Sequence, residues 1–394
     1  MISSLVFLSY SSINSFLKFA FSALFASLAY LILGPQDSIE ILQYVFLQSC
    51  IIAFLSSSGV FRGLSFSEDS NQKLANLISN YFTFLVLSSI LTLAGLLFFD
   101  ADLHVVFLVF GGFSVSALNF LTGVLVRQGS TKSAYRPQIE ITLVALLGFY
   151  FYATSSHFEA TLKTFISALL AYQISSFLYF ILKNSRLLKT VCKLDTYLFS
   201  FHKTSEFALM GFSCSVGLLV FYFIRNDWAK TVGQQIANDG LFYLRVSDLI
   251  LQFVTLLVAF NFRKIQIYLL DKKIIVGYCI VILTTIFLSV SIISVEKPEL
   301  FSSSDYSLLF YQLFIDVFRY SSIVFFIWTV SVSVWAATVL SVLFPAFIVL
   351  THYFLYGANS TFDLYFYYAF SAISQILLVS LYVYFNFKRA TFNV

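Results

Sequence analysis

Nine polar and charged residues stand at helical spacing inside otherwise apolar runs, and they carry whatever chemistry this chain performs. Asn14, Lys18 and Ser22 recur every fourth residue among Phe, Leu and Ala. Arg245, Asp248 and Gln252 follow the i, i+3, i+7 spacing of one helical stripe, and Gln312, Asp316 and Arg319 repeat the design. A charge at the centre of a membrane span costs about 2.5 to 3.5 kcal/mol on insertion scales, so such residues need partners or water. Fixed Lys and Arg in that setting bind an anion, and carboxylates beside them tune the cations or relay protons. The blander reading also stands: Arg245–Asp248 and Arg319–Asp316 are each one turn apart and can neutralise one another, and Lys18 can snorkel to a membrane surface.

The elements that position these residues follow from composition. Of 394 residues, 59% are hydrophobic and 11% charged, with mean hydropathy +0.89, against roughly 25% charged in soluble domains. The sequence predicts an all-α polytopic membrane protein of about twelve transmembrane helices, without room for a large extramembrane domain. Spans are expected near 12–33, 41–61, 78–99, 105–126, 139–154 and 164–182, then near 207–224, 241–262, 274–294, 306–329, 336–356 and 363–386. The N-terminus lacks the basic region and cleavage pattern of a secretory signal, so the first run is expected to remain as a span. The long basic stretch from Lys183 to Glu206 separates two six-span halves, expected as domains 1–190 and 191–394. Paired halves suit a transporter with its substrate path between them.

Loop charge gives an orientation. With both termini in the cytoplasm, sixteen Lys and Arg fall in cytoplasmic loops and four in the opposite ones, as the positive-inside rule requires. The net charge of +4 is therefore a topology signal, and no nucleic-acid partner is expected. Cys50, Cys192, Cys214 and Cys279 are dispersed, so neither a metal site nor a disulfide framework is indicated. No P-loop or Ser/His/Asp constellation stands in the chain, and no cofactor is expected. Glu140 reads as a helix-start carboxylate, and Pro345 and the Gly111-Gly112 pair as sites of kinking or close helix packing.

Three motifs carry a family resemblance. Leu33-Gly34-Pro35 followed by Ser58-Gly59-Val60-Phe61-Arg62-Gly63 resembles the first helical hairpin of bacterial lipid-linked oligosaccharide flippases of the Wzx type. The run Ile224-Arg225-Asn226-Asp227, Asp239-Gly240-Leu241 and Arg245-Val246-Ser247-Asp248 is similar to the seventh and eighth helices of the enterobacterial common antigen (lipid III) subfamily. Gln312 with Asp316-Val317-Phe318-Arg319 is the third match. The resemblance implies the multidrug/oligosaccharidyl-lipid/polysaccharide exporter fold, two six-helix bundles around a central cavity, in the bacterial inner membrane. It implies a flippase, not an enzyme, moving an undecaprenyl-pyrophosphate-linked repeat unit for O-antigen, lipopolysaccharide or related surface polysaccharide. Lys18, Arg62, Arg245 and Arg319 are then expected to bind substrate, with Asp248 and Asp316 coupling protons or tuning charge. Expected partners are that lipid-linked substrate, membrane lipids, and the polymerase and chain-length regulator of the same pathway. The alternatives are a membrane polysaccharide polymerase, which would want a large extracytoplasmic loop, and a drug/cation antiporter of the same fold, which would want an acidic cavity.

Overall fold

The computed structural model describes residues 2–56, 71–98, 103–155, 161–191, 201–232 and 338–392, with shorter pieces between 283 and 336 that include 314–319. These residues are helical almost throughout, and no strand occurs among them. The helices are α1 (Ile2–Leu55), α2 (Asn71–Phe98), α3 (Leu103–Arg127), α4 (Thr131–Ala153), α5 (Leu162–Val191), α6 (Phe201–Val232), α7 (Phe344–Tyr356) and α8 (Thr361–Phe392). Six stretches are long and apolar enough to cross a membrane, in α2, α3, α5, α6, α8 and the segment Val339–Tyr356. They coincide with six of the expected spans. The expected spans at 241–262 and 274–294 lie almost wholly outside the described residues.

The first two expected spans share one helical assignment, α1, yet its halves run in opposite directions. Phe21 sits on the Tyr172 ring at 4.2 Å, and Gln48 bonds to the next residue of α5, Gln173. Twenty-seven residues of straight α-helix would separate Phe21 from Gln48 by about 40 Å, too far for both to reach adjacent residues. Asn14 and Phe25 meet Gln138 and Phe149, so the first half runs parallel to α4. The chain therefore folds back between Leu33 and Val45, the stretch that contains Gly34-Pro35.

Packing divides the protein into two units, Met1–Ser215 and Val216–Val394. This division lies inside α6, later than the loop-based boundary at 190. The start of α6 belongs with the first unit because Gly211 lies against the Phe54 carbonyl and Ser215 Oγ donates to the Cys50 carbonyl at 2.7 Å. Within that unit α3 is the central helix, touching α1, α2, α4 and α5. Its Gly111 leaves room for a buried amide pair, because a Cβ there would lie 2.3 Å from Gln173 Oε1 and 2.5 Å from Gln48 Nε2. Phe21, Phe25, Phe149 and Phe165 form the aromatic seam between α1, α4 and α5. Small residues and side-chain hydrogen bonds hold such helices together, since lipid removes the hydrophobic drive for helix to join helix.

The second unit packs Val220, Ile224 and Trp228 of α6 against Val349 and Tyr353 of α7 and Leu364, Tyr365 and Tyr368 of α8. A π-helical turn, Val339–Leu343, precedes α7, with the Phe344 N–H donating to the Val339 carbonyl. Pro345 explains it, because its ring nitrogen cannot supply the hydrogen bond that the Ser341 carbonyl would receive in an α-helix.

Candidate functional site

In the first unit, the polar stripe of α1 faces the bundle through two of its three members. Asn14 is 5% exposed and Lys18 is half-buried, whereas Ser22 is exposed and its hydroxyl returns to the Lys18 carbonyl at 3.0 Å. The partner of Asn14 and Lys18 is Gln138 of α4, a residue that sequence reasoning missed. Gln138 Oε1 accepts from Lys18 Nζ at 2.8 Å and from Asn14 Nδ2 at 3.4 Å. Its Nε2 donates to Thr122 Oγ1 of α3 at 2.7 Å and to the Ala134 carbonyl at 2.9 Å. Two donors and two acceptances fill the amide's principal capacity. Thr142 Oγ1 continues the network, donating to the Gln138 carbonyl at 2.7 Å and lying 2.9 Å from the Tyr172 hydroxyl. Among the described residues Lys18 makes no ion pair; its ammonium is held by a neutral amide.

Backbone repair around Pro137 keeps Gln138 in place. Proline inside α4 leaves the Ser133 carbonyl without its usual intrahelical donor, and Asn184 Nδ2 of α5 supplies one at 3.0 Å. Glu140 is not a helix-start cap: it lies ten residues into α4, where Oε1 pairs with Arg136 Nε at 2.7 Å and Oε2 accepts from Tyr179 at 2.8 Å.

In the second unit, Arg319 and buried Asp316 lie on the described helical turn 314–319. The Arg319 guanidinium stands 5.1 Å from the centre of the Tyr368 ring. A second guanidinium, Arg225, stands 5.1 Å from the same centre and donates through Nε to the Tyr368 hydroxyl. Phe221 stacks on this tyrosine at 4.5 Å. A ring face attracts cations, so one tyrosine gathers two positive charges. The span expected near 207–224 stops just short of Arg225, but α6 continues to Val232 and carries this residue inside the helix. Two residues on, Asp227 Oδ2 accepts from the Tyr353 hydroxyl of α7.

Of the residues expected to act on substrate, Lys18 and Arg319 therefore stand in polar or aromatic settings within their own units. Arg62, Arg245 and Asp248 lie outside the described residues. No group of His, Cys, Asp or Glu suited to a metal ion occurs among the described residues.

No family model matches the chain, and no curated protein matches it in sequence. Solved structures do resemble it in fold. A transporter of the MOP superfamily from Pyrococcus furiosus, described as having a binding pocket of reversed polarity, aligns with a TM-score of 0.61 at 14% identity, covering 96% of this chain and 93% of that one. An outward-facing multidrug resistance transporter of the MATE family, also of the MOP superfamily, aligns at 0.58 and 12% identity over 96% and 93%. A MATE point mutant aligns at 0.58 and 14% identity over 98% and 94%. The chain thus has the all-α, twelve-helix fold of these membrane transporters.

Proposed function

We propose that this protein is a flippase that carries an undecaprenyl-pyrophosphate-linked oligosaccharide from the cytoplasmic to the periplasmic leaflet by alternating access. The observation that supports this reading most is the Lys18 ammonium, turned into a helical bundle and held by the side-chain Oε1 of Gln138 with no carboxylate beside it among the described residues. An ammonium in that setting favours a negative ligand, because desolvation makes its charge costly until an anion approaches. Arg319 and Arg225 on Tyr368 add positive charge in the second unit. A pyrophosphate diester is an anion that such groups would bind by charge-assisted hydrogen bonds.

Arg62 and Arg245 complete the proposed substrate-binding set, and Asp316 and Asp248 are proposed to tune the cations or exchange protons during the cycle. The bacterial inner membrane with both termini in the cytoplasm is the proposed setting, and the polymerase and chain-length regulator of the pathway are proposed partners. A drug/cation antiporter is the second reading, favoured by the fold shared with a multidrug resistance transporter. It would use an acidic site, and Asp316 is a buried carboxylate among the described residues. A polymerase is disfavoured because the likeness in fold is to transporters.

Deletion in the native bacterium tests the reading. A flippase defect leaves complete lipid-linked repeat units facing the cytoplasm, and a plasmid-borne Lys18→Ala or Arg319→Ala protein fails to clear them despite normal membrane insertion. Accumulation on the periplasmic side would point to the polymerase, and unchanged polysaccharide with raised drug sensitivity would point to the antiporter.

A further inference from the structure

The hydrogen bonds of Gln138 leave one buried atom of the same network without a partner among the described residues. Gln138 Nε2 donates to a backbone carbonyl and to Thr122, which fixes which way its amide faces. Its Oε1 is thereby presented to α1, and Asn14 must offer Nδ2 to it, since two amide oxygens facing each other would repel. Asn14 Oδ1 then points away from Gln138. It is buried and accepts no hydrogen bond among the described residues. The Lys18 ammonium, one turn along the same face of α1, has three donors and spends one on Gln138. A buried acceptor left without a donor is costly, and here it stands one helical turn from a cation whose ammonium donates to the same Gln138 Oε1.

We propose that Asn14 Oδ1 and the Lys18 ammonium together receive a ligand that carries a hydroxyl beside an anionic oxygen, with Gln138 as the positioning residue for both. The anionic oxygen accepts from Lys18 and the hydroxyl donates to Asn14. A protonated phosphate has both groups on one phosphorus, and a glycosyl phosphodiester has the oxygen on phosphorus and the hydroxyl on the adjacent sugar. Sulfate, of similar size and geometry, has no hydroxyl at neutral pH and leaves Asn14 Oδ1 orphaned. This inference rests on the reading of Lys18 as an anion-binding group, and it adds a requirement for a donor that charge alone does not impose.

Calorimetric titration of the full-length protein in detergent tests it with four probes at matched ionic strength. They are inorganic phosphate, sulfate, glucosyl methyl phosphate, whose hydroxyls are all on the sugar, and dimethyl phosphate, which has none. The expected result is a preference of about tenfold for a hydroxyl-bearing probe over its hydroxyl-free counterpart, the worth of one hydrogen bond in a buried site. Phosphate over sulfate, with the two diesters alike, assigns the hydroxyl to phosphorus; glucosyl methyl over dimethyl phosphate assigns it to the sugar. Asn14→Leu is expected to bring the preferred probe down to the level of its counterpart, and Lys18→Met to abolish binding of all four. Gln138→Glu gives Lys18 an internal counterion and is expected to suppress binding of all four probes further than Gln138→Met, which loses the same two bonds from Nε2 without adding a charge, an outcome that a purely structural role for Gln138 does not produce. Equal affinity of both pairs in the wild type overturns the donor requirement and leaves Lys18 as an anion site. Failure of all four probes to bind, or binding indifferent to Lys18→Met, overturns the anion reading and the inference with it.

Discussion

Gln48 and Gln173 face each other as a reciprocal amide pair, each donating its Nε2 to the other's Oε1, at 2.7 and 2.8 Å. The pair is buried between the second half of α1 and α5, and Gly111 of α3 forms its floor. Gly111→Ala would drive a Cβ into both amides, breaking two buried hydrogen bonds and straining the packing at a cost of about 2 to 4 kcal/mol. Gly95→Ala and Gly148→Ala meet nothing within 4 Å, and alanine gains up to about 1 kcal/mol in a helix. Thermal unfolding in detergent should therefore show a lowered Tm for Gly111→Ala and an unchanged or raised Tm for the other two. A neutral Gly111→Ala would mean that the pair is not held as described.

Gly211 makes a tighter demand, because the obstacle is backbone. Its Cβ would lie 2.2 Å from the Phe54 carbonyl oxygen, which no rotamer change can relieve. Gly211→Ala is expected to push α6 from α1, costing at least as much as Gly111→Ala, about 2 to 4 kcal/mol. The check is the yield of monodisperse protein on size-exclusion chromatography beside the two glycine controls.

Asn184 substitutes for the N–H that Pro137 lacks. Asn184→Leu leaves the Ser133 carbonyl orphaned and should cost about 1 to 3 kcal/mol. Pro137→Ala restores the intrahelical donor, so the double variant should recover most of that loss. Tm values for the two single variants and the double variant form the cycle, and additive losses would rule out the substitution of one donor for the other.

Tyr368 joins two cations by its ring and one of them also by its hydroxyl. Tyr368→Phe keeps the ring and removes the bond from Arg225, at about 1.5 to 3 kcal/mol for a charged partner. Tyr368→Ala removes the ring as well and should cost about 3 to 5 kcal/mol. Tm in detergent should fall in that order; equal effects of the two variants would show that the ring contributes nothing.

Orientation has its own test. Cysteine placed at Gly129, in the turn between α3 and α4, should react with impermeant maleimide only after the inner membrane is opened, and cysteine at Ser155 should react in intact spheroplasts. The reverse pattern would invert the proposed topology.

The long apolar runs were legible in the sequence because spanning length and apolar composition leave few alternatives, and six of them stand where expected. The fold-back of α1 was legible as Gly34-Pro35. Lys18 was legible as a charge out of place, but its holder was not: Gln138 stands 120 residues away and became its neighbour only through the packing of α1 on α4. Glu140 misled because its helix begins earlier than the apolar run does, so a residue at the edge of the run is well inside the helix. Arg225 misled for the converse reason. Hydropathy ends a span at the first charge, whereas backbone hydrogen bonding carried α6 on to Val232, and the charge found an aromatic face within reach.

The π-helical turn before α7 has a bearing on sequence change by insertion and deletion. A π turn holds one residue more than an α turn, so Val339–Leu343 is a surplus stored in the backbone. Removing one residue there would leave an α turn with a proline inside it, as α4 already has at Pro137, while Val349 and Tyr353 keep facing α6 and α8. The same deletion within α7 would rotate everything beyond it by about 100° and take Tyr353 away from Asp227. Length variants recovered from a random deletion library should therefore concentrate in this five-residue window, making it a hinge point for change in chain length within a bundle that otherwise fixes its register.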